Sequence, residues 1–197
     1  VSYRPGSRFG PARIREVSIG LEEYSLYLDR ELGDVKFFDA GDIPLPFGNP
    51  EKSLKEIKDW VRKLLADGKI PVGMGGEHLV SLPVMEAVYE KYNDLAIIHF
   101  DAHTDLRTDY EGEPYSHATP IRKIADQIGP KNVYSFGIRS GMKEEMEWAK
   151  ENGMHISLFE VLEPLKKVLP TLAGRNVYVT IDIDVLDPAH APGTGTV

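Results

Sequence analysis

The feature that most constrains the fold is the regular alternation of short apolar runs with longer amphipathic segments. The runs AIIHF (residues 96–100) and VYVTI (residues 177–181) are almost continuously apolar, as expected for strands covered on both faces. Strands that alternate with helices form parallel sheets, because each helix returns the chain to the same end of the sheet. The pattern therefore predicts an α/β protein with three layers, α/β/α, around a mainly parallel sheet.

The predicted elements cover most of the chain, and no linker or low-complexity tract divides it, so residues 1–197 are predicted to form a single domain. The predicted strands are Val35–Phe38, Ile70–Met74, Leu95–Asp101, Asn132–Ile138, His155–Leu158 and Val177–Asp184. The predicted helices are Ala12–Tyr24, Pro50–Asp67, Leu79–Tyr92, Thr119–Ile128, Lys143–Asn152 and Glu160–Leu172.

Composition excludes several classes of function. The formal net charge is −8 and no Lys/Arg run is present, which argues against nucleic acid as a partner. The chain has no cysteine, so disulfides, thiolate nucleophiles and thiolate metal ligands are excluded, and a reducing cytoplasm is the expected location. No apolar stretch approaches the roughly 18–20 residues that span a bilayer, so no membrane association is expected.

Ionisable side chains follow three of the predicted strands, in the sequences GGEH, DAHTD and DID. Ligands of open α/β sheets bind beyond the carboxyl ends of the strands, so these side chains are expected to meet in one cleft. Four carboxylates and two imidazoles would repel one another there, and two divalent ions would balance the four negative charges. The candidate ligands are His78, Asp101, His103, Asp105, Asp182 and Asp184.

The donor types indicate which metal is expected. Oxygen-rich ligation with some imidazole and no sulfur suits Mn²⁺ better than a structural Zn²⁺. Six side chains for two ions require that some carboxylates bridge, and a water between the ions would become a nucleophile near neutral pH. Each motif alone also has a structural explanation: DAHTD as a solvated loop start, DID as a helix cap, and His78 as a capping or core residue. The joint occurrence of all three favours the metal site.

Three further features have simpler interpretations. GMGGEH lacks the glycine spacing and the GK[ST] ending of a phosphate-binding loop, so its glycines are expected to allow a tight turn that points His78 inward. Glu77 is expected to face solvent. His99 lies deeper in its strand than Asp101, so it is expected to be a packed, hydrogen-bonded histidine and not a third ligand.

GGEH, DAHTD and DIDVLDPAHAPGTGT together resemble the three signatures of the ureohydrolase family, which includes arginases and agmatinases. The flanking sequences SYRPGSRFGP and FFDAGDIPLPFGNP are most similar to those of the family's bacterial agmatinase branch. The resemblance covers essentially the whole chain. It implies an arginase-like fold, two Mn²⁺ ions per chain, and a homo-oligomer, either a trimer or a hexamer.

Carried over residue by residue, the resemblance implies how the ligands divide between the two ions. Asp101 and Asp182 would bridge, and His117, in YSHAT, matches the family's cleft histidine, which transfers protons at the leaving amine. From the chemistry of the step, either Asp105 or His117 would deliver the proton that this amine needs. One ion would be held by His78, Asp101, Asp105 and Asp182, and the other by Asp101, His103, Asp182 and Asp184.

The substrate implied by the resemblance is agmatine, cleaved to putrescine and urea in polyamine biosynthesis. The loop LRTDYEGEPYS (residues 106–116) carries three carboxylates against one arginine, which suits a substrate that ends in an ammonium group, although an exposed loop of an acidic protein is also simply acidic. Arginine, guanidinobutyrate and formiminoglutamate are the rival substrates. The resemblance further implies that parts of the family fold, including a guanidinium-binding glutamate, lie outside residues 1–197, so a catalytically silent metal-binding or assembly fragment is the alternative from another class.

Overall fold

A computed structural model describes residues 6–195, so both ends of the resemblance, in SYRPGSRFGP and in GTGT, extend outside the described residues. The strands are β1 (Tyr24–Ser25), β2 (Arg30–Glu31), β3 (Leu95–Phe100), β4 (Val133–Ile138), β5 (His155–Leu158) and β6 (Asn176–Ile181). The α-helices are α1 (Gly10–Ser18), α2 (Pro50–Ala66), α3 (Ser81–Lys91), α4 (Pro120–Ile128), α5 (Lys143–Glu151) and α6 (Leu162–Val168). Short 3-10 helices lie at Ser7–Phe9, Leu32–Asp34, His78–Val80, Pro130–Asn132, Leu169–Leu172 and Ile183–Val185.

The main sheet has four strands in the order β5-β4-β3-β6, and every neighbouring pair is parallel. β3 and β4 lie in the middle of the sheet and are buried almost throughout, as their apolar sequences predict. β1 and β2 form a separate two-stranded antiparallel ladder. The prediction of a parallel α/β sheet is confirmed.

Apolar side chains pack on both faces of this sheet, which makes the three layers. On one face Leu95 and Ile97 of β3 belong to a cluster with residues of α2, α3 and α4. On the other face Ala96 and Ile98, the alternate residues of β3, belong to a cluster against which Leu165 of α6 packs. Successive side chains of a strand point to opposite faces, so β3 contributes to both cores.

Two of the predicted strands are wrong: Val35–Phe38 and Ile70–Met74 belong to no strand in the part of the chain that the structure describes. A strand needs a neighbour for its backbone N–H and C=O groups, and no described strand runs beside either segment. Their apolar side chains are accordingly exposed, with Ile70 at 89% and Val72 at 90% of full exposure.

Other elements end earlier than predicted. β6 ends at Ile181, and Asp184 lies in a 3-10 helix for which Asp182 is the N-cap, so these two carboxylates do not share a strand face. The first helix ends at Ser18 and not at Tyr24, which instead starts β1. The prediction Glu160–Leu172 divides into α6 and a 3-10 turn that contains Pro170, whose missing N–H weakens an α-helix.

Candidate metal centre

The candidate ligands reach one place because β3 and β6 are neighbours in register. Phe100 pairs with Ile181, so the next residues, Asp101 and Asp182, leave the sheet side by side. The amide of Asp182 donates to the carbonyl of Phe100 at 2.8 Å, which extends the ladder by one bond. The carboxyl ends of parallel strands thus bring the DAHTD and DID motifs together, as predicted.

His78 arrives by a different route from the one predicted. It does not follow a strand but begins the 3-10 helix that precedes α3, and the side chain of Glu77 caps that helix by accepting from the amide of Leu79 at 3.0 Å. The preceding glycines allow close packing: a Cβ on Gly76 would lie 2.9 Å from the carbonyl oxygen of Ser7. Glu77 therefore has a structural role in holding the histidine.

One half of the cluster, which we call the His78 half, consists of His78 and Asp105 with the shared Asp101. The Nδ1 atom of His78 lies 2.8 Å from Asp105 Oδ2 and 2.9 Å from Asp101 Oδ2. Asp182 Oδ2 is further away, at 3.9 Å from the same nitrogen. His78, Asp101 and Asp105 are all buried.

The other half, which we call the His103 half, consists of His103 and Asp184 with Asp101. His103 Nδ1 lies 3.1 Å from Asp184 Oδ2 and 3.4 Å from Asp101 Oδ1. Asp184 is buried and its second oxygen accepts from the amide of Ala102 at 3.1 Å. His103 is partly exposed, so this half is the more open one.

Asp101 belongs to both halves through different oxygens. Oδ2 faces His78 and Oδ1 faces His103. Asp182 also lies between the halves, since its Oδ1 accepts from the amide of Asp184 at 3.3 Å while its Oδ2 faces His78. Asp101 and Asp182 therefore both lie between the two histidines, and their role as bridging ligands stays a prediction.

The charges of the cluster act strongly on one another. Hydrogen bonds to Asp101 and Asp184 raise the pKa of His103 to about 10. Burial opposes the protonation of His78, but its hydrogen bonds to Asp101 and Asp105 hold its pKa well above the usual value. Without a metal the two histidines therefore carry positive charge that the carboxylates require.

Two of the carboxyl groups have a raised pKa, whereas a salt bridge normally lowers the pKa of an acid. Burial raises the pKa of Asp105, against the hydrogen bond from His78. Burial, together with the charges of Asp101 and Asp184, raises the pKa of Asp182 to about 6. Crowded carboxylates of this kind are stabilised by a cation placed among them.

The donor set fits divalent metal ions. Ligand atoms of Asp101, His103 and Asp184 all lie within 4.8 Å of one another, as do those of His78, His99 and Asp101. Carboxylate oxygen and imidazole nitrogen are donors that Mn²⁺ accepts. In the second set His99 is fully buried in β3 and contacts the carboxylate of Asp101 with one ring nitrogen and Ser135 with the other, so it holds Asp101 in place.

Several residues that hold the candidate ligands were not predicted. The Nε2 atom of His78 lies 2.9 Å from Thr180 Oγ1, which is 3.1 Å from Ser81 Oγ. His99 is buried, as predicted, and bridges Ser135 Oγ and Asp101 Oδ2 at 2.9 and 2.8 Å. Such contacts fix the orientation of a histidine or carboxylate ligand. Period-two spacing, which places Thr180 on the same side of β6 as Asp182, is the sequence signal for this residue.

His117 lies on the loop before α4 and is partly buried, with its ring 5.3 Å from that of Tyr110. Burial lowers the pKa of His117, and the positive charges of His103 and Arg107 act in the same direction. The charges of the cluster therefore act on the pKa of His117. With its pKa below the usual value, the His117 ring is neutral near pH 7.

The whole chain, residues 1–197, matches the family model described as the arginase family. The chain belongs to the arginase family. This confirms the predicted membership of the ureohydrolase family, and with it the expectation of a metal-dependent amidinohydrolase.

Known members of the arginase family are similar over the full length of the chain. An agmatinase of Bacillus subtilis is 81% identical over 197 residues, which are 100% of this chain and 68% of the relative. An agmatinase of Bacillus anthracis is 76% identical over 196 residues, again 100% of this chain and 68% of the relative. The crystal structure of the agmatine ureohydrolase of Thermoplasma volcanium superposes with a TM-score of 0.87 at 32% identity, over 99% of this chain and 67% of that one.

These similarities confirm the arginase-like fold and place the bacterial agmatinases among the chain's relatives. Among the described residues, no helix is both long and apolar enough to cross a membrane.

Proposed function

We propose that the protein hydrolyses agmatine to putrescine and urea, with two Mn²⁺ ions held by His78, Asp101, His103, Asp105, Asp182 and Asp184. The observation that carries the proposal is the position of Asp101, whose two oxygens face two different histidines. A buried carboxylate shared in this way suits a bridging ligand between two ions. The high identity to agmatinases supports the choice of substrate.

The chemistry needs a nucleophile, because a guanidinium carbon is a poor electrophile toward free water. When bound, two divalent ions lower the pKa of water and thereby supply a nucleophile near neutral pH. The carboxylates of the cluster favour a cationic substrate at this edge of the sheet. Water adds to the guanidinium carbon, the bond from that carbon to the alkyl nitrogen breaks, and the products are urea and putrescine.

The departing amine must take up a proton, and two residues are suited to deliver it. The Asp105 carboxylate lies beside His78 in the cluster, so its oxygens are placed to take a proton from water and pass it on. Burial lowers the pKa of His117, so its ring is neutral near pH 7 and can accept and return a proton. We assign Asp105 the transfer at the reacting centre and His117 the transfer at the mouth of the cleft.

The substrate end distant from the guanidinium is assigned to the loop of residues 106–116. Tyr110 and Glu113 bond to each other through both backbone groups at 3.0 Å, which closes a tight turn, and Asp109 accepts from the amide of Gly112 at 3.0 Å. The carboxylates of Asp109, Glu111 and Glu113 are exposed on this turn. An ammonium group, as in agmatine, is attracted by such a loop, whereas the carboxylate of arginine is repelled.

A urea assay with Mn²⁺-loaded protein tests the proposal. Agmatine, arginine, guanidinobutyrate and formiminoglutamate are each supplied, and urea, putrescine and formamide are measured. We expect the highest rate, with equal amounts of urea and putrescine, from agmatine. If arginine gives as much urea as agmatine, the assignment of agmatine as the substrate is wrong. Release of formamide would indicate that formiminoglutamate is the substrate. Chelator treatment followed by Mn²⁺ addition is the control, and two bound Mn²⁺ without turnover would favour the silent metal-binding fragment.

The assembly is implied by the family resemblance, and the location is expected from the absence of cysteine. We propose a homo-oligomer, either a trimer or a hexamer, in the cytoplasm. Large apolar side chains with more than four-fifths of their surface exposed, such as Leu26, Tyr27 and Phe47, are suited to contacts between chains. Size-exclusion chromatography with light scattering is expected to give a mass of three or six chains, and a monomer would contradict the assembly.

A further inference from the structure

Glu145 is a buried carboxylate outside the candidate ligand set, and it faces the backbone next to one of the ligands. It lies in the first turn of α5 and is only 6% exposed. Within the described residues its partners are two backbone amides, and no lysine, arginine or histidine forms an ion pair with it. Burying a carboxylate costs free energy unless it is hydrogen-bonded. The two amides supply these hydrogen bonds and so offset the cost of burying Glu145.

The two oxygens of Glu145 have different tasks. Oε2 accepts from the amide of Met142 at 2.7 Å, which is the helix-capping contact of a glutamate three residues into a helix. Oε1 accepts from the amide of Leu106 at 3.0 Å, 39 residues away in the chain. The first contact caps α5, whereas the second joins α5 to the residue that follows the candidate ligand Asp105.

The amide of Leu106 belongs to the same peptide group as the carbonyl of Asp105. That carbonyl accepts from the amide of Arg122 at 3.1 Å, so the peptide group is held at both of its polar ends. Asp105 itself has a φ of 51°, in the left-handed region that is unfavourable for residues other than glycine. Such a conformation persists only where surrounding contacts enforce it.

We propose that Glu145 is a positioning residue of the metal centre: through the amide of Leu106 it holds Asp105 in its left-handed conformation and thereby directs the Asp105 carboxylate to its place beside His78. In this backbone conformation the carboxylate lies 2.8 Å from the His78 ring nitrogen. The inference rests on the metal site of the proposed function. It assigns to Glu145 no contact with substrate or metal.

The variant Glu145→Gln separates the two tasks, since a glutamine can still cap α5 through its oxygen but then presents an NH₂ group to the Leu106 amide. We expect the Leu106 amide of the metal-free variant to exchange with solvent at least 10-fold faster, with the Met142 amide unchanged. We expect the Mn²⁺ affinity of one ion to fall roughly 10- to 100-fold and that of the other to stay within about twofold. Hydrogen exchange and Mn²⁺ titration followed by electron paramagnetic resonance measure these effects.

The matched control is Glu144→Gln, which removes the same charge from the exposed neighbouring residue. It is expected to leave both Mn²⁺ affinities and the Leu106 exchange unchanged. Unchanged Mn²⁺ affinities in Glu145→Gln, or equal loss of both ions together with a lower melting temperature of the metal-free protein, would overturn the inference. If the variant does not fold, amide hydrogen exchange is measured in the wild-type protein instead. A Leu106 amide that exchanges rapidly contradicts its hydrogen bond to Glu145, and one that exchanges slowly supports it.

Failure of this inference differs from failure of the proposed function. Wild-type protein that does not bind two Mn²⁺ ions contradicts the proposed function. Wild-type protein that binds two ions while Glu145→Gln is indistinguishable from it contradicts only the role of Glu145. The shorter Glu145→Asp variant keeps the charge but cannot reach both amides, and it is expected to show the same loss at one ion.

Discussion

The two halves of the cluster are built in different ways although each contains one histidine and one aspartate of its own. In the His78 half both ring nitrogens of the histidine have partners, Asp105 and Thr180, and the residues are buried. In the His103 half the histidine is partly exposed, and the Asp184 carboxylate accepts from the amide of Ala102, in the loop that follows β3. The first half is held by hydrogen bonds between side chains, and the second by backbone groups of the loops that follow β3 and β6.

This difference predicts that the halves respond differently to substitution. The His78 half depends on individual side-chain hydrogen bonds, so changing one partner disturbs one ligand and leaves the other half intact. The His103 half depends on the backbone that follows β6, where the guanidinium of Arg139 donates to the carbonyls of Asp184, Val185 and Leu186. Changing Arg139 therefore alters stability as well as metal binding.

The largest effect is expected where the halves meet. Asp101→Asn removes the charge shared by both, so tight binding of both Mn²⁺ ions and urea formation should be lost, with activity at least about 10³-fold lower. Metal analysis after gel filtration measures the ion content. Asp126→Asn, which removes an exposed carboxylate from α4, is the control and should retain two ions. Two ions retained in Asp101→Asn would refute the shared role.

A smaller effect, confined to one half, is expected from Thr180→Val. The substitution preserves side-chain shape but removes the oxygen 2.9 Å from His78 Nε2. Loss of such a partner typically lowers metal affinity 10- to 100-fold, so one Mn²⁺ ion should be weakened and the other unchanged. Calorimetric titration resolves the two sites. Ser135→Ala serves as the contrast, because through His99 it acts on the shared Asp101 and should weaken both ions.

The other half is tested by Arg139→Gln. Hydrogen bonds to charged groups contribute about 1.5–3 kcal/mol and these are partly buried, so the free energy of unfolding should fall by about 2 kcal/mol. We expect in addition a roughly tenfold loss of affinity for one ion, because Asp184 loses its backbone support. Urea unfolding and Mn²⁺ titration measure the two effects. Arg13→Gln, on the exposed surface of α1, should change neither, and unchanged stability of Arg139→Gln would contradict the proposed support.

The smallest effect concerns the ion pairs between α2 and α3, outside both halves. Glu90 lies between Arg62 and Lys58, and these contacts, Arg62 first, lower the pKa of Glu90 to about 2. Because the folded pKa is below that of the unfolded chain, near 4.3, this contribution to stability is complete above about pH 5 and is lost as the pH falls toward 2.

The pair is exposed, so salt screens it and the melting temperature should fall by less than about 3 °C at neutral pH in Glu90→Gln. The difference between variant and wild type should vanish near pH 2. Scanning calorimetry from pH 7 to pH 2 checks this, with Glu56→Gln on α2 as a control of equal charge. A change in Mn²⁺ affinity in Glu90→Gln would show that global stability, and not local contacts, governs the two halves.

The strands of the main sheet could be predicted from sequence because their apolar runs have a clear local pattern. Predicted and observed bounds of β5 are identical, and those of β4 differ by one residue. The incorrect strands, Val35–Phe38 and Ile70–Met74, have the same apolar character, but strand formation depends on a neighbour that local sequence does not reveal. Periodicity alone therefore identifies apolar segments better than it identifies their partners.

For the candidate site, the motifs indicated which residues come together, and the structure shows what holds them there. His78 was expected after a strand and instead begins a 3-10 helix, yet it reaches the same cluster. Thr180 and Glu145 contribute through hydrogen bonds to residues 102 and 39 positions away. No local pattern encodes contacts over such separations, so sequence predicts the ligands more readily than the groups that position them.

The division of the Asp101 oxygens between the halves limits how the protein can change during evolution. If both proposed metal positions share this residue, a substitution there alters both at once and cannot adapt one of them to a different ion. Only residues that belong to a single half, such as Asp105 and Asp184, allow the positions to diverge. A pair of unlike metals in this fold would therefore arise through these residues, with Asp101 retained.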